Sequence, residues 1–168
     1  MAASLLNAGF IHRKIYGNPW LLIFVKILVA FDNSETARKA LRFALKLRPI
    51  ADEFIICYVA PLIVGAGPNF DAYVPPSMYE KNDATAEAIM SSAKEVLEDQ
   101  KVSATFLKLD APGEQIARAM TNAAMERGVD IIVTGTRKLS GLSKVLLGSV
   151  SSEIIKLSKI PVLVVPPD

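Results

Sequence analysis

Five short apolar runs recur along this chain, and a stretch with helical spacing follows each of the first four. The runs cover residues 25–31, 54–60, 102–109, 130–134 and 160–165, the last beginning at Ile160 and ending at Val165. Most are largely apolar rather than alternating, the pattern of strands covered on both faces. Between them, Ala37, Ala40, Leu41 and Ala44 repeat at the period of a helix, as do Ala86, Ile89, Ala93, Val96 and Leu97. Ile116, Ala119, Met120 and Ala123 mark a third helix, and Val150, Ile154 and Leu157 a fourth. This alternation predicts an α/β domain, a five-stranded parallel sheet with helices on both faces.

The punctuation agrees with that reading. Asp32, Asn33 and Ser34 offer N-cap side chains to the first helix, and Pro49 stops it. Pro112 is expected in the first turn of the third helix, where its missing N–H costs nothing, and Gly128 at the C′ position after that helix. Residues 61–79, with Gly65, Gly67, Pro68, Pro75 and Pro76, read as an irregular segment, long enough for a lid, an interface or an insert.

The 168 residues suit one domain, read as 25–168, preceded by an N-terminal extension of unknown role at 1–24. A net charge of +2 gives no concentrated basic face for nucleic acid. The apolar run 20–31 is broken by Lys26 and falls short of the ~20 residues of a membrane span. Arg13, Lys14 and Lys26 are unopposed by any acid in the first 31 residues, but no small-residue cleavage site follows. A cytoplasmic protein is expected. The single cysteine, Cys57, sits in an apolar run and reads as a buried thiol. The single histidine, His12, lies outside every periodic segment, so histidine catalysis has little support.

In a doubly wound sheet, ligands sit outside the carboxyl ends of the strands. Asp32, Val59, Asp110 and Gly135 fall at those ends. The segment from Gly135 to Gly148 and Ser149 follows a strand and opens a helix, which are the parts of a phosphate cradle. A carboxylate at Asp32 can accept a ribose hydroxyl or approach a phosphate-bound Mg²⁺; it can also serve as a helix cap. Arg137, Lys138 and Lys144 make the glycine segment basic, either as solvated surface or as partners for phosphate. Lys138 can equally fill the pocket. There is no Walker loop, no G-x-G-x-x-G fingerprint and no nucleophile elbow, and the acidic pair of a receiver domain is missing.

Three stretches resemble the universal stress protein family: Lys-Ile-Leu-Val-Ala-Phe-Asp-Asn-Ser-Glu-Thr-Ala at 26–37, Gly-Val-Asp-Ile-Ile-Val-Thr-Gly-Thr-Arg at 128–137, and Leu-Leu-Gly-Ser-Val-Ser-Ser-Glu at 146–153 with Ile-Pro-Val-Leu-Val-Val at 160–165. The resemblance implies a Rossmann-like sheet of strand order 3-2-1-4-5 and a homodimer, expected to pair through the fifth strand. It further implies a stress-response regulator with an unidentified protein partner. ATP-binding members carry G-x2-G-x9-G-[ST]. Gly135, Gly148 and Ser149 match it, while Lys138 stands at the second glycine. By this resemblance Ala30, Phe31, Asp32 and Val59 lie near the adenine, and Thr134, Gly135, Lys138, Gly148, Ser149 and Val150 near the phosphates. Ala30 stands where proline is frequent, and Asp110 where glycine is common. The expected ligand is ATP or another adenine nucleotide, with Mg²⁺. Any catalysis is expected to stop at slow ATP hydrolysis. The alternative is an interaction scaffold of the same fold without a nucleotide.

Overall fold

The computed structural model describes residues 25–61, 76–112, 115–136 and 148–167, and for 76–80 the backbone alone. In chain order the elements are β1 (Lys26–Ala30), α1 (Glu35–Leu45), β2 (Glu53–Pro61), α2 (Pro76–Asp99), β3 (Thr105–Ala111), α3 (Ile116–Glu126), β4 (Ile131–Gly135), α4 (Ser149–Leu157) and β5 (Val162–Val165). All neighbouring strands are parallel, in the order β3-β2-β1-β4-β5. In register, Leu28 stands beside Ile55 of β2 and Ile132 of β4.

The sheet is apolar on both faces because both are covered. Ile27, Val29, Phe54 and Ile56 pack under Leu41 and Ala44 of α1 and Ala93, Val96 and Leu97 of α2. Leu28, Ile55, Cys57 and Ile132 pack under Met120 and Ala124 of α3 and Ile154 of α4. Fully buried Leu and Ile side chains of this kind each contribute about 1.5–3 kcal/mol through removal from water. At the amino end of the sheet, the amides of Val25 and Lys26 donate to Asp52 Oδ2 (2.6 Å) and Asp130 Oδ2 (2.8 Å). Two carboxylates thus tie the start of β1, leaving the carboxyl end as the side open to a ligand.

Several boundaries differ from the sequence expectation, each for a local reason. β3 starts at Thr105, not at 102, because the Val102 amide donates back to the Leu97 carbonyl (3.1 Å) as the chain leaves α2. Pro112 lies ahead of α3 rather than in its first turn. β3 runs on to Ala111 opposite Pro61, and the Pro112 carbonyl accepts from the Gln115 amide (2.8 Å) to make the turn. α2 begins at Pro76, inside the stretch expected to be irregular; a proline at the first helical position lacks only an N–H the helix does not use. The rest of that stretch, 62–75, lies outside the described residues. Before β5, Ser158 Oγ accepts from the Ile160 amide (3.0 Å), so the strand opens at Val162. Gly128 follows α3 at a φ of +63°, the left-handed conformation expected of a C′ glycine.

Candidate functional site

The strand order reverses between β1 and β4: β2 and β3 lie on one side of β1, β4 and β5 on the other. A cleft open to solvent sits at the carboxyl ends there. From β1 and its exit it takes Ala30, Phe31 and Asp32, and from β2 Val59. Across the switch point it takes Thr134 and Gly135, then Gly148, Ser149 and Val150 at the start of α4. These nine residues were singled out in the sequence, and the fold brings them around one space. Lys138, Arg137 and Lys144 lie outside the described residues. Asp110 is not part of the lining: it lies within β3, not after it, with its carboxylate 3.8 Å from Lys108 Nζ.

The N-termini of α1 and α4 both face the cleft, and they differ. α1 is capped by Ser34, whose Oγ accepts from the Ala37 amide (3.2 Å), while the Ser34 amide donates to Asp32 Oδ1 (3.0 Å). The N-cap of α4 is Gly148, which has no side chain with which to cap it. The first amides of a helix have no partner within it and carry a partial positive charge. Among the described residues, those of Ser149 and Val150 at α4 are therefore left for solvent or a ligand. The Ser151 hydroxyl does not take them, donating instead to the Gly148 carbonyl (3.0 Å).

The two glycines of the site have different reasons to be glycine. A Cβ on Gly135 would stand 2.5 Å from the Thr36 carbonyl oxygen and 2.7 Å from its carbon, so the close seat of α1 on β4 demands glycine there. Gly148 has φ −62° and ψ 161°, a conformation any residue adopts, and a Cβ would meet only Ser151 Oγ at an ordinary 3.6 Å. Among the described residues, neither backbone nor packing requires glycine at 148. What its missing side chain leaves open is the approach to the α4 amides.

Ser34, Thr36, Tyr58, Ile116, Met120 and Ser151 also line the cleft and escaped sequence reasoning as site residues. Ser34 and Thr36 had a signal in their place at a helix start beside a strand end. Tyr58 had none, because strand alternation sends it to the face opposite Val59. Burial pushes the Tyr58 phenol above its ordinary pKa, with the Asp32 and Asp110 charges adding to the rise and Lys108 opposing it. Asp32 supplies the acidic side chain of the lining. Among the described residues no group of three His, Cys, Asp or Glu side chains is placed to hold a metal ion.

A parallel sheet with a crevice at its switch point and a helix without a side-chain cap facing it defines an open, doubly wound α/β domain. This chain belongs to the universal stress protein family, whose family model matches residues 24–166. Universal stress protein YxiE of Bacillus subtilis is 35% identical over 150 residues, covering 85% of this chain and 99% of its own. Universal stress protein MJ0577 of Methanocaldococcus jannaschii is 31% identical over 159 residues, covering 86% and 96%. The solved structure of MJ0577 matches with a TM-score of 0.68 over 88% of this chain and 99% of that one, at 29% identity. A universal stress protein from Archaeoglobus fulgidus, solved in complex with dAMP, shares the fold at 21% identity with a TM-score of 0.60, over 85% and 98%.

Proposed function

We propose that this protein is a cytoplasmic, dimeric stress-response regulator that binds ATP or another adenine nucleotide in the switch-point cleft. Gly148 carries the reading: among the described residues its lack of a side chain serves neither fold nor packing, and it keeps the α4 amides accessible to an anion. The phosphates are assigned to the backbone N–H groups of Gly148, Ser149 and Val150, with the Ser149 hydroxyl assisting. The base is assigned to the apolar wall of Ala30 and Val59, and a ribose hydroxyl to the Asp32 carboxylate. Mg²⁺, where present, arrives on the phosphates. The dAMP bound by the Archaeoglobus relative supports an adenine nucleotide as the ligand class.

Support for the dimer comes from β5, an edge strand of the sheet. Val162, Leu163 and Val164 on it are only partly buried. An apolar edge with unpaired backbone groups invites a second copy across a two-fold axis. For the cytoplasm, the supports are a lone buried thiol and, among the described residues, no helix long and apolar enough to cross a membrane.

Native mass spectrometry of the freshly purified protein, with calorimetric titration of ATP-Mg into wild type and Lys138→Gly, tests the ligand. A retained or titratable adenine nucleotide is expected. Tighter binding by Lys138→Gly identifies the lysine as an obstruction, and weaker binding identifies it as a phosphate ligand. Binding by neither protein overturns the reading and leaves an interaction scaffold.

A further inference from the structure

We infer that Asn33 and Ser92 form a latch that positions the Asp32–Ser34 corner of the cleft and couples it to α2. The inference rests on the nucleotide reading for its ligand but on hydrogen bonds for its geometry. Asn33 has a φ of +64°, the left-handed conformation that asparagine tolerates better than most residues. Its Oδ1 accepts from Arg38 Nε of α1 (2.8 Å) and from Ser92 Oγ of α2 (2.5 Å). Ser92 is 7% exposed. Its oxygen also lies 3.0 Å from the Ile89 carbonyl, but it has one proton, and Asn33 is nearer. A single amide oxygen therefore joins the β1–α1 corner to a helix 59 residues further along the chain.

That corner is part of the site. Asp32 and Ser34, on either side of Asn33, both line the cleft, and Asp32 Oδ1 accepts from the Ser34 amide. Rotation of the corner would carry the Asp32 carboxylate with it. A second contact joins the same stretch of α2 to the cleft wall. Tyr58, which lines the cleft, packs in one cluster with Ala86, Ile89 and Met90. Residues 86–92 of α2 thus touch the site at two points, one polar and one apolar. A ligand that fixes Asp32 and Tyr58 is felt by α2, and a partner that shifts α2 changes the site.

Three variants separate the latch from the fold. Ser92→Ala removes the hydroxyl and suits a helix. Asn33→Gly keeps the left-handed backbone and removes the acceptor. Asn33→Asp keeps both. In nucleotide-free protein, the Ser34 and Ala37 amides are expected to exchange with deuterium about tenfold faster in Ser92→Ala and Asn33→Gly than in wild type, and at the wild-type rate in Asn33→Asp. The same two variants are expected to bind AMP roughly three- to tenfold more weakly. AMP is expected to slow exchange across residues 86–92 in wild type and to slow it less in Ser92→Ala, which keeps only the Tyr58 contact. Wild-type exchange at Ser34 and Ala37 in Ser92→Ala overturns the latch. If wild type takes up no AMP, the nucleotide reading fails, and exchange in the free protein still decides the latch.

Discussion

Cys57, within β2, is fully buried in the cluster that contains Ile55, Val59 and Leu107. Burial pushes its thiol up from 9.0 to about 12, outweighing the downward pull of Arg127. The unfolded chain ionises the same thiol near the lower value. Between the two, the unfolded state binds fewer protons than the folded one. The stability this group contributes is complete below pH 9 and is lost as pH rises toward 12. Thermal unfolding should show Tm falling above pH 9, with a shallower fall in Cys57→Ala; equal slopes contradict this. The burial was legible in the sequence because the residue stands in an unbroken apolar run. Tyr58, its neighbour, was not legible as a site residue. Alternation assigns it to the other face, but a cleft at the end of a sheet takes residues from both faces.

At the scale of elements, the four helices and five strands were legible because their apolar periods differ. Their ends were not, because capping and turn bonds decide them: the Val102 amide returns to Leu97, and the Pro112 carbonyl closes a turn onto Gln115. The same limit applies to Gly135. The motif places it in a phosphate cradle, while the structure gives it a task between elements, the seat of α1 on the end of β4. Gly135→Ala forces a methyl against the Thr36 backbone, and overpacking of that kind costs about 1–3 kcal/mol. A fall in Tm of several degrees is expected even without nucleotide. An unchanged Tm would mean that α1 yields freely and that the glycine is there for the ligand.

For the whole molecule, the sheet has two edges, and they are finished differently. β3 carries Lys108, paired with Asp83 and near Asp110, on one edge. β5 presents Val162, Leu163 and Val164 on the other. Leu163 and Val162 pack partly against the two faces of the core, leaving Val164 as the half-buried valine that joins neither cluster. Val164→Lys places a charge where strand pairing between copies would bury it. Sedimentation at micromolar concentration should give a dimer for wild type and a shift toward monomer for the variant. A monomeric wild type contradicts the assembly.

In the proposed site, the cleft before α4 holds a nucleotide because Gly148 leaves its amides open. Calorimetric titration of ATP-Mg into wild type and Gly148→Val, with thermal melts of both, tests it most directly. Valine accepts a φ of −62° and a ψ of 161°, so the two proteins should melt within a few degrees of each other. Wild type should bind and Gly148→Val should not. Equal binding by two equally stable proteins would contradict the claim and put the nucleotide elsewhere.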